Sequence, residues 1–189
     1  TVYGLACDPR CSEAVDRVYR IKHRPAGLEL TLLAAAAADL DLMVLMAMPS
    51  SHPTASGFAS PPSIAVMAAR FWPGPLSIVL PVGPTRLAIP RAGSTLSVRV
   101  PAHELLRELL RRTGPLATTS ANRHGEPPAT TAAEVRAALG DAVDGVVDGG
   151  PAGGAPSTII DCATIPPRLL REGPISLGEL TPYLGGRPR

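Results

Sequence analysis

The chain has 189 residues, a formal net charge of +2, 45% hydrophobic residues, 22 prolines and 18 glycines. That is enough apolar material for one buried core joined by many turns, and too little excess charge for a general nucleic-acid footprint. Aromatic residues make up 3%, too few for a base-stacking platform, and the longest apolar run, Leu28 to Ala38, falls short of a membrane span.

In chain order, Ser12 is expected to cap a helix running to about Ile21, with Val15, Val18 and Tyr19 on one face. Pro25 limits it, because the residue before a proline is pushed out of the α region. Leu28 to Leu33 reads as a buried strand, residues 34–48 as helical, and Met48 to Pro62 as a mobile surface loop rich in proline and serine. Ser63 to Phe71 reads as a helix broken by Trp72-Pro73-Gly74-Pro75, and Ser77 to Pro81 as a short apolar strand. Thr95 to Val100 alternates Leu96, Val98 and Val100 with Thr95, Ser97 and Arg99, which predicts a strand with one core face and one polar face. Pro101 is expected to open a helix with Leu105, Leu106, Leu109 and Leu110 buried and His103 in its first turn, ending near Gly114. Leu116 to Thr119 reads as a strand leading into Ser120-Ala121-Asn122. Thr131-x-x-Glu134 and Ser176-x-x-Glu179 are two capping boxes. Gly145 to Val147, Ser157 to Ile160 and Arg168 to Leu170 complete the expected strands. Strands interleaved with helices predict one α/β domain over residues 1–189, a mixed sheet covered by helices.

The cysteines Cys7, Cys11 and Cys162 form no C-x-x-C and cannot all pair, so they read as reduced thiols of an intracellular protein with no metal site. Lys22 is the only lysine among 18 basic residues, which singles out a place where a compact ammonium serves better than a planar guanidinium. Phosphate-binding glycine loops and a nucleophile elbow are absent, so any nucleotide is held by another device. In Lys22-His23-Arg24-Pro25, two cations converge on one side if both residues are extended, which suits a polyphosphate or carboxylate; by spacing alone an exposed basic turn after a helix is slightly favoured. Thr119-Ser120-Ala121-Asn122 stands at a strand end, a usual place for ligand groups, though its spacing alone favours a plain Asx turn. Arg99 with Thr95 lines a groove or faces water. Pro156-Ser157-Thr158 and Arg171-Glu172-Gly173 set polar groups at strand edges. The glycines at 149–150 and 153–154 read as turns, and Trp72 as core.

Taken together and in order, Thr1-Val2-Tyr3-Gly4-Leu5, Ile21-Lys22-His23-Arg24-Pro25, Phe71-Trp72-Pro73-Gly74-Pro75, Val98-Arg99-Val100-Pro101, Thr119-Ser120-Ala121-Asn122, Pro156-Ser157-Thr158-Ile159-Ile160-Asp161 and Leu170-Arg171-Glu172-Gly173 resemble the threonylcarbamoyl-AMP synthase (YrdC-like) family, in its short bacterial form. The resemblance implies a twisted α/β domain with a concave basic groove. It implies condensation of L-threonine with bicarbonate, and attack of the carbamate on ATP, with Mg²⁺, to give threonylcarbamoyl-AMP and pyrophosphate. A downstream transferase complex would use the product on tRNA adenosine, in the cytoplasm, with at most weak RNA contact here and no membrane. By position, Lys22, Arg24, Ser120 and Asn122 would form the catalytic tetrad. Arg24, Leu28 (through its backbone), Thr95, Asn122, Thr130 and Arg171 would contact ATP, and Thr1, Leu33, Arg99, Ser120 and Ser157 would hold threonine. Glu29 stands where the family carries proline, and the family's strand before Val2-Tyr3-Gly4 is expected to be missing from the chain. A carbamoyl-handling domain for another substrate and a non-catalytic RNA-binding relative are the competing readings; the complete K-x-R and S-x-N pairs favour the synthase.

Overall fold

In the computed structural model, residues 1–25, 27–41, 61–82, 86–90, 94–164 and 166–184 are described. Seven strands enter one sheet in the order β1-β5-β2-β4-β3-β6-β7, with β1 at Gly4–Cys7, β2 at Thr31–Leu33, β3 at Leu76–Pro81, β4 at Thr95–Arg99, β5 at Leu116–Ser120, β6 at Thr158–Asp161 and β7 at Arg168–Arg171. The β2–β4 and β3–β6 pairs are parallel and the other four antiparallel, so the sheet is mixed. The helices are α1 (Ser12–Lys22), α2 (Ala37–Asp41), α3 (Pro61–Phe71), α4 (Glu104–Thr113), α5 (Ala132–Leu139) and α6 (Leu177–Leu180).

Register sorts the sheet into two chemical faces. Ala117, Leu32, Val98, Ile78 and Ile160 lie side by side across five strands, and none is exposed to solvent. This row belongs to the core that α1 joins through Val15, Val18 and Tyr19. Each such aliphatic side chain removed from water contributes about 1.5–3 kcal/mol before entropy is subtracted. One residue along each strand the side chains point to the opposite face. There the neighbouring row is Thr118, Thr31 and Ser97, a run of hydroxyls across three strands. Thr31 Oγ1 and Ser97 Oγ lie 3.0 Å apart, and Thr118 Oγ1 donates to the Thr31 carbonyl at 2.9 Å. The expected alternation in Thr95 to Val100 is therefore real, but its polar side is not water: Ser97 is buried.

Both capping boxes form with their reciprocal bonds. At α5 the Glu134 backbone N–H donates to Thr131 Oγ1 at 3.2 Å, while the Glu134 carboxylate accepts from the Thr131 N–H at 3.3 Å. Thr131→Ala is expected to cost about 1 kcal/mol of stability, read as a lower denaturant midpoint. An unchanged midpoint would mean the box adds nothing.

Several expectations are corrected. Cys11, not Ser12, is the N-cap of α1, and it makes no side-chain cap bond. The strand expected from Leu28 begins only at Thr31, because Glu29 and Leu28 turn their carbonyls to Arg24 instead of a neighbouring strand. Pro101 does not open α4; His103 is its N-cap, so His103 precedes the first turn. Leu105, expected in the core, is 49% exposed, and Leu110 alone of the four leucines is fully buried. Gly145 to Val147 is not a strand: it has no pairing partner and Val147 is 60% exposed. The sheet edge at Gly4–Cys7 was not foreseen; the segment is too short to show a period and is held by pairing with β5. Of the helix expected over 34–48, Ala37–Asp41 is observed, residues 34–36 are not helical, and 42–48 lie outside the described residues, as does most of Met48 to Pro62. Among the described residues no helix is long and apolar enough to cross a membrane.

Candidate active site

Lys22 is the last residue of α1, and it is helical rather than extended. What brings Arg24 beside it is His23, which takes the left-handed conformation (φ 50°) and ends the helix. The chain then doubles back, with the Arg24 N–H donating to the Tyr19 carbonyl at 2.9 Å. The Lys22 ammonium runs inward until the residue is 1% exposed. It donates to the carbonyls of Ser120 at 2.5 Å and Asn122 at 2.7 Å, and to Asn122 Oδ1 at 3.0 Å. Burial, with the Arg24 charge nearby, lowers its pKa to about 8. Asn122 Nδ2 donates to the Arg123 and Glu126 carbonyls, which fixes the amide so that its oxygen faces Lys22. Arg24 donates to the Leu28 and Glu29 carbonyls at 3.4 and 3.0 Å, and the Leu28 carbonyl also accepts from the Tyr19 hydroxyl.

A second cluster forms around Arg99, at the end of β4. Its Nε donates to the Gly74 carbonyl at 2.9 Å and its Nη1 to Thr1 Oγ1 at 3.3 Å. Burial and the charge of Arg171 lower its pKa to about 10. Arg171 donates through Nε to the Ser157 carbonyl and through Nη2 to Ser157 Oγ, at 2.9 and 3.1 Å. Leu33 pairs with Arg99 across β2 and β4. By register, the Thr118–Thr31–Ser97 hydroxyl row lies between the end of the sheet that carries Ser120 and the end that carries Arg99.

Thr95 and Thr130 are held by glutamates: Thr95 Oγ1 donates to Glu29 Oε1 at 2.8 Å, and Thr130 Oγ1 to Glu134 Oε2 at 3.0 Å. Asn122 and Thr130 both line a cavity of about 350 Å³ completed by Ala121, Glu126, Ala129 and neighbouring side chains. Hydrogen bonds join Lys22 to Ser120 and Asn122, Arg24 to Leu28, Arg99 to Thr1 and Arg171 to Ser157, and the charges of Lys22 and Arg24, and of Arg99 and Arg171, are close enough to interact. Sequence reading missed the Gly74 carbonyl, which no side-chain pattern betrays, and Ser77, which bonds to Ser157 and whose signal was a lone hydroxyl in an apolar strand.

The partners of these cations set them apart from the surface. Arg10, Arg17, Arg107, Arg111 and Arg112 all pair with carboxylates. Among the described residues no carboxylate lies within ion-pair distance of Lys22, Arg24, Arg99 or Arg171, which are held by carbonyls and hydroxyls instead. Positive charge kept on neutral acceptors is available to anions.

The fold and these residues define an α/β domain with two pairs of cations held by neutral acceptors. Residues 1–173 match the model of a family described as telomere recombination, which takes in the Sua5, YciO and YrdC proteins. The chain belongs to this family, as its motifs led one to expect. It is 36% identical over 190 residues to a threonylcarbamoyl-AMP synthase of Bacillus subtilis, covering 98% of this chain and 51% of that protein. With a threonylcarbamoyl-AMP synthase of Idiomarina loihiensis it shares 40% identity over 163 residues, 85% of this chain and 82% of that one. A solved structure of the Pyrococcus abyssi Sua5 protein complexed with L-threonine superposes with a TM-score of 0.85 at 33% identity, covering all of this chain and 52% of that one. The chain thus spans about half the length of several curated relatives that it matches.

Proposed function

We propose that the chain forms threonylcarbamoyl-AMP and pyrophosphate from L-threonine, bicarbonate and ATP. The observation that carries this reading is the two pairs of cations, Lys22 with Arg24 and Arg99 with Arg171, held by neutral acceptors without carboxylate partners among the described residues. In the first step the threonine amine attacks the bicarbonate carbon; an N–C bond forms, water leaves and a carbamate results. In the second, a carbamate oxygen attacks the α-phosphorus of ATP, the bond to the β-phosphate breaks, and pyrophosphate leaves with the electron pair. Such a displacement needs positioning and charge neutralisation rather than a covalent nucleophile.

Lys22 and Arg24 oppose charge on the phosphates, with Ser120 and Asn122 completing the tetrad. The Leu28 backbone, Thr95, Thr130 and Arg171 contact ATP, and the cavity beside Asn122 and Thr130 takes part of the nucleotide. Arg99 takes the threonine carboxylate, with Thr1, Leu33, Ser120 and Ser157 around it. Mg²⁺ would enter as the chelate of the ATP phosphates, sharing the neutralisation of their charge with Lys22 and Arg24. The groove is concave and basic, and the product passes to a tRNA-modifying transferase in the cytoplasm, with weak RNA contact at most.

The test is pyrophosphate release from ATP with threonine and bicarbonate each omitted in turn. Release that needs both supports the reading; a folded chain that releases none, or releases it without threonine, sinks it. In the same assay Arg99→Lys is expected to raise the KM for threonine about tenfold, because an ammonium cannot offer two parallel donors to a carboxylate. An unchanged KM would remove Arg99 from the threonine site.

A further inference from the structure

Strand β3 reads Leu76-Ser77-Ile78-Val79-Leu80-Pro81, and Ser77 is its one hydroxyl. The residue is 1% exposed. A hydroxyl shut away from water is costly unless it is bonded, so its presence in a central strand asks for a reason. Its side-chain oxygen bonds to Ser157 Oγ at 3.0 Å, and this is its one side-chain partner among the described residues. Ser157 Oγ also accepts from Arg171 Nη2 at 3.1 Å.

One proton of the pair is left over whichever hydroxyl donates, and burial favours one direction. A hydroxyl has one proton and two lone pairs. Were Ser157 to give its proton to Ser77, the Ser77 proton would be buried with no acceptor, at the cost of an unsatisfied donor. With Ser77 as donor the unplaced proton falls instead on Ser157, the less buried of the two (6% against 1% exposed) and the one bonded to Arg171. Ser157 Oγ then accepts twice, from Ser77 and from Arg171, and its own proton is left to point at an oxygen brought by a ligand. Continuing the β3–β4 register past Ile78 and Val98 sets Ser77 opposite Arg99, on the same sheet face. The Ser157 hydroxyl, left to donate, thus stands near Arg99, the guanidinium that takes the carboxylate, with the Arg99 and Arg171 charges close enough to interact.

We propose that Ser77 is a positioning residue that fixes the Ser157 hydroxyl as a donor to the carboxylate of the amino-acid substrate. This rests on the reading of that substrate as L-threonine. Calorimetric titration with L-threonine and steady-state kinetics test it. Ser77→Ala is expected to weaken threonine binding and raise its KM about tenfold, the loss of roughly one directed hydrogen bond. The kcat should stay within about twofold and the KM for ATP should not move, a split that mere loosening of the strand would not give. Ser77→Thr keeps the hydroxyl and should restore affinity to within about threefold. Because Ser77 acts through Ser157, the double variant Ser77→Ala, Ser157→Ala should bind threonine no more weakly than Ser157→Ala alone. Wild-type affinity in Ser77→Ala, or a further loss in the double variant, would overturn the proposal while leaving the synthase reading intact. A wild-type chain that binds no threonine would overturn that reading and the proposal with it.

Discussion

Lys22→Met is expected to reduce pyrophosphate release by about 10²–10³-fold while the chain stays folded. The side chain is wholly inside, so its removal leaves the Ser120 and Asn122 carbonyls and Asn122 Oδ1 without their donor. Orphaned buried acceptors cost about 1–3 kcal/mol. Methionine fills similar space and ends the burial of an ammonium, which works in the other direction. The net effect on stability is therefore modest, a shift in melting temperature within about 5 °C. Activity that survives in the variant would show that Lys22 is a strut between α1 and the residues after β5, nothing more.

The same lysine predicts a pH dependence. Its folded pKa, lowered to about 8, lies below the ordinary lysine value of 10.5. Between these values the folded chain holds fewer protons than the unfolded one, so this group's contribution to stability rises with pH there, and the cost of burying its charge is full below about 8. Anion binding has the opposite sign. The ammonium charge that attracts phosphate is lost as pH rises through about 8, so the Kd for ATP should weaken between pH 7 and 9.5. In Lys22→Met the Kd should be weaker throughout and flat over that interval. A pH profile shared by both proteins would place the titrating group elsewhere.

Gly173→Ala is expected to destabilise the chain by about 3 kcal/mol, lowering the melting temperature by about 10 °C, and to weaken threonine binding as well. An added Cβ would lie 2.4 Å from the Pro156 carbonyl oxygen, 2.5 Å from the Thr158 nitrogen and 2.8 Å from the Ser157 carbonyl carbon. All three are backbone atoms, so no side chain can swing aside. The Gly173 N–H also donates to Thr158 Oγ1 at 3.0 Å, and Thr158 in turn donates to the Ile175 carbonyl at 2.7 Å. Pushing this turn away from residues 156–158 pulls Arg171 off Ser157, which couples the packing loss to the site. Gly153, whose added Cβ would meet nothing within 4 Å, is the internal control: Gly153→Ala should be near neutral. Equal melting temperatures for the two variants would show that the turn yields freely.

Where periodicity was strong, the elements followed it. The alternation in Thr95–Arg99, the apolar run Leu76–Pro81, the face of α1 built from Val15, Val18 and Tyr19, and both capping boxes are consequences of local chemistry, and each formed as its residues required. The misses share one cause. Gly4–Cys7 is a strand because β5 offers it a ladder, and Gly145 to Val147 is not one because nothing does. Leu105 has the right spacing for a buried face, yet α4 turns it outward, since which neighbours a helix meets is a tertiary matter.

The site divides the same way. Residue types and their order singled out Lys22, Arg24, Arg99, Ser120, Asn122, Ser157 and Arg171, because a lone lysine, a K-x-R pair and an S-x-N pair are visible along the chain. Their convergence is not visible there. Lys22 and Arg24 meet through a left-handed His23 rather than through two extended residues, and Lys22 reaches Asn122 across 100 positions of sequence. Arg99 and Arg171 come close only because β4 and β7 are set by the strands between them. Local sequence fixes which groups are available and which face of each strand they share. Only the pairing of distant strands, driven by the burial of their apolar face, decides which of those groups stand together, and that is what gathers separate polar residues into two groups of cations held by neutral acceptors.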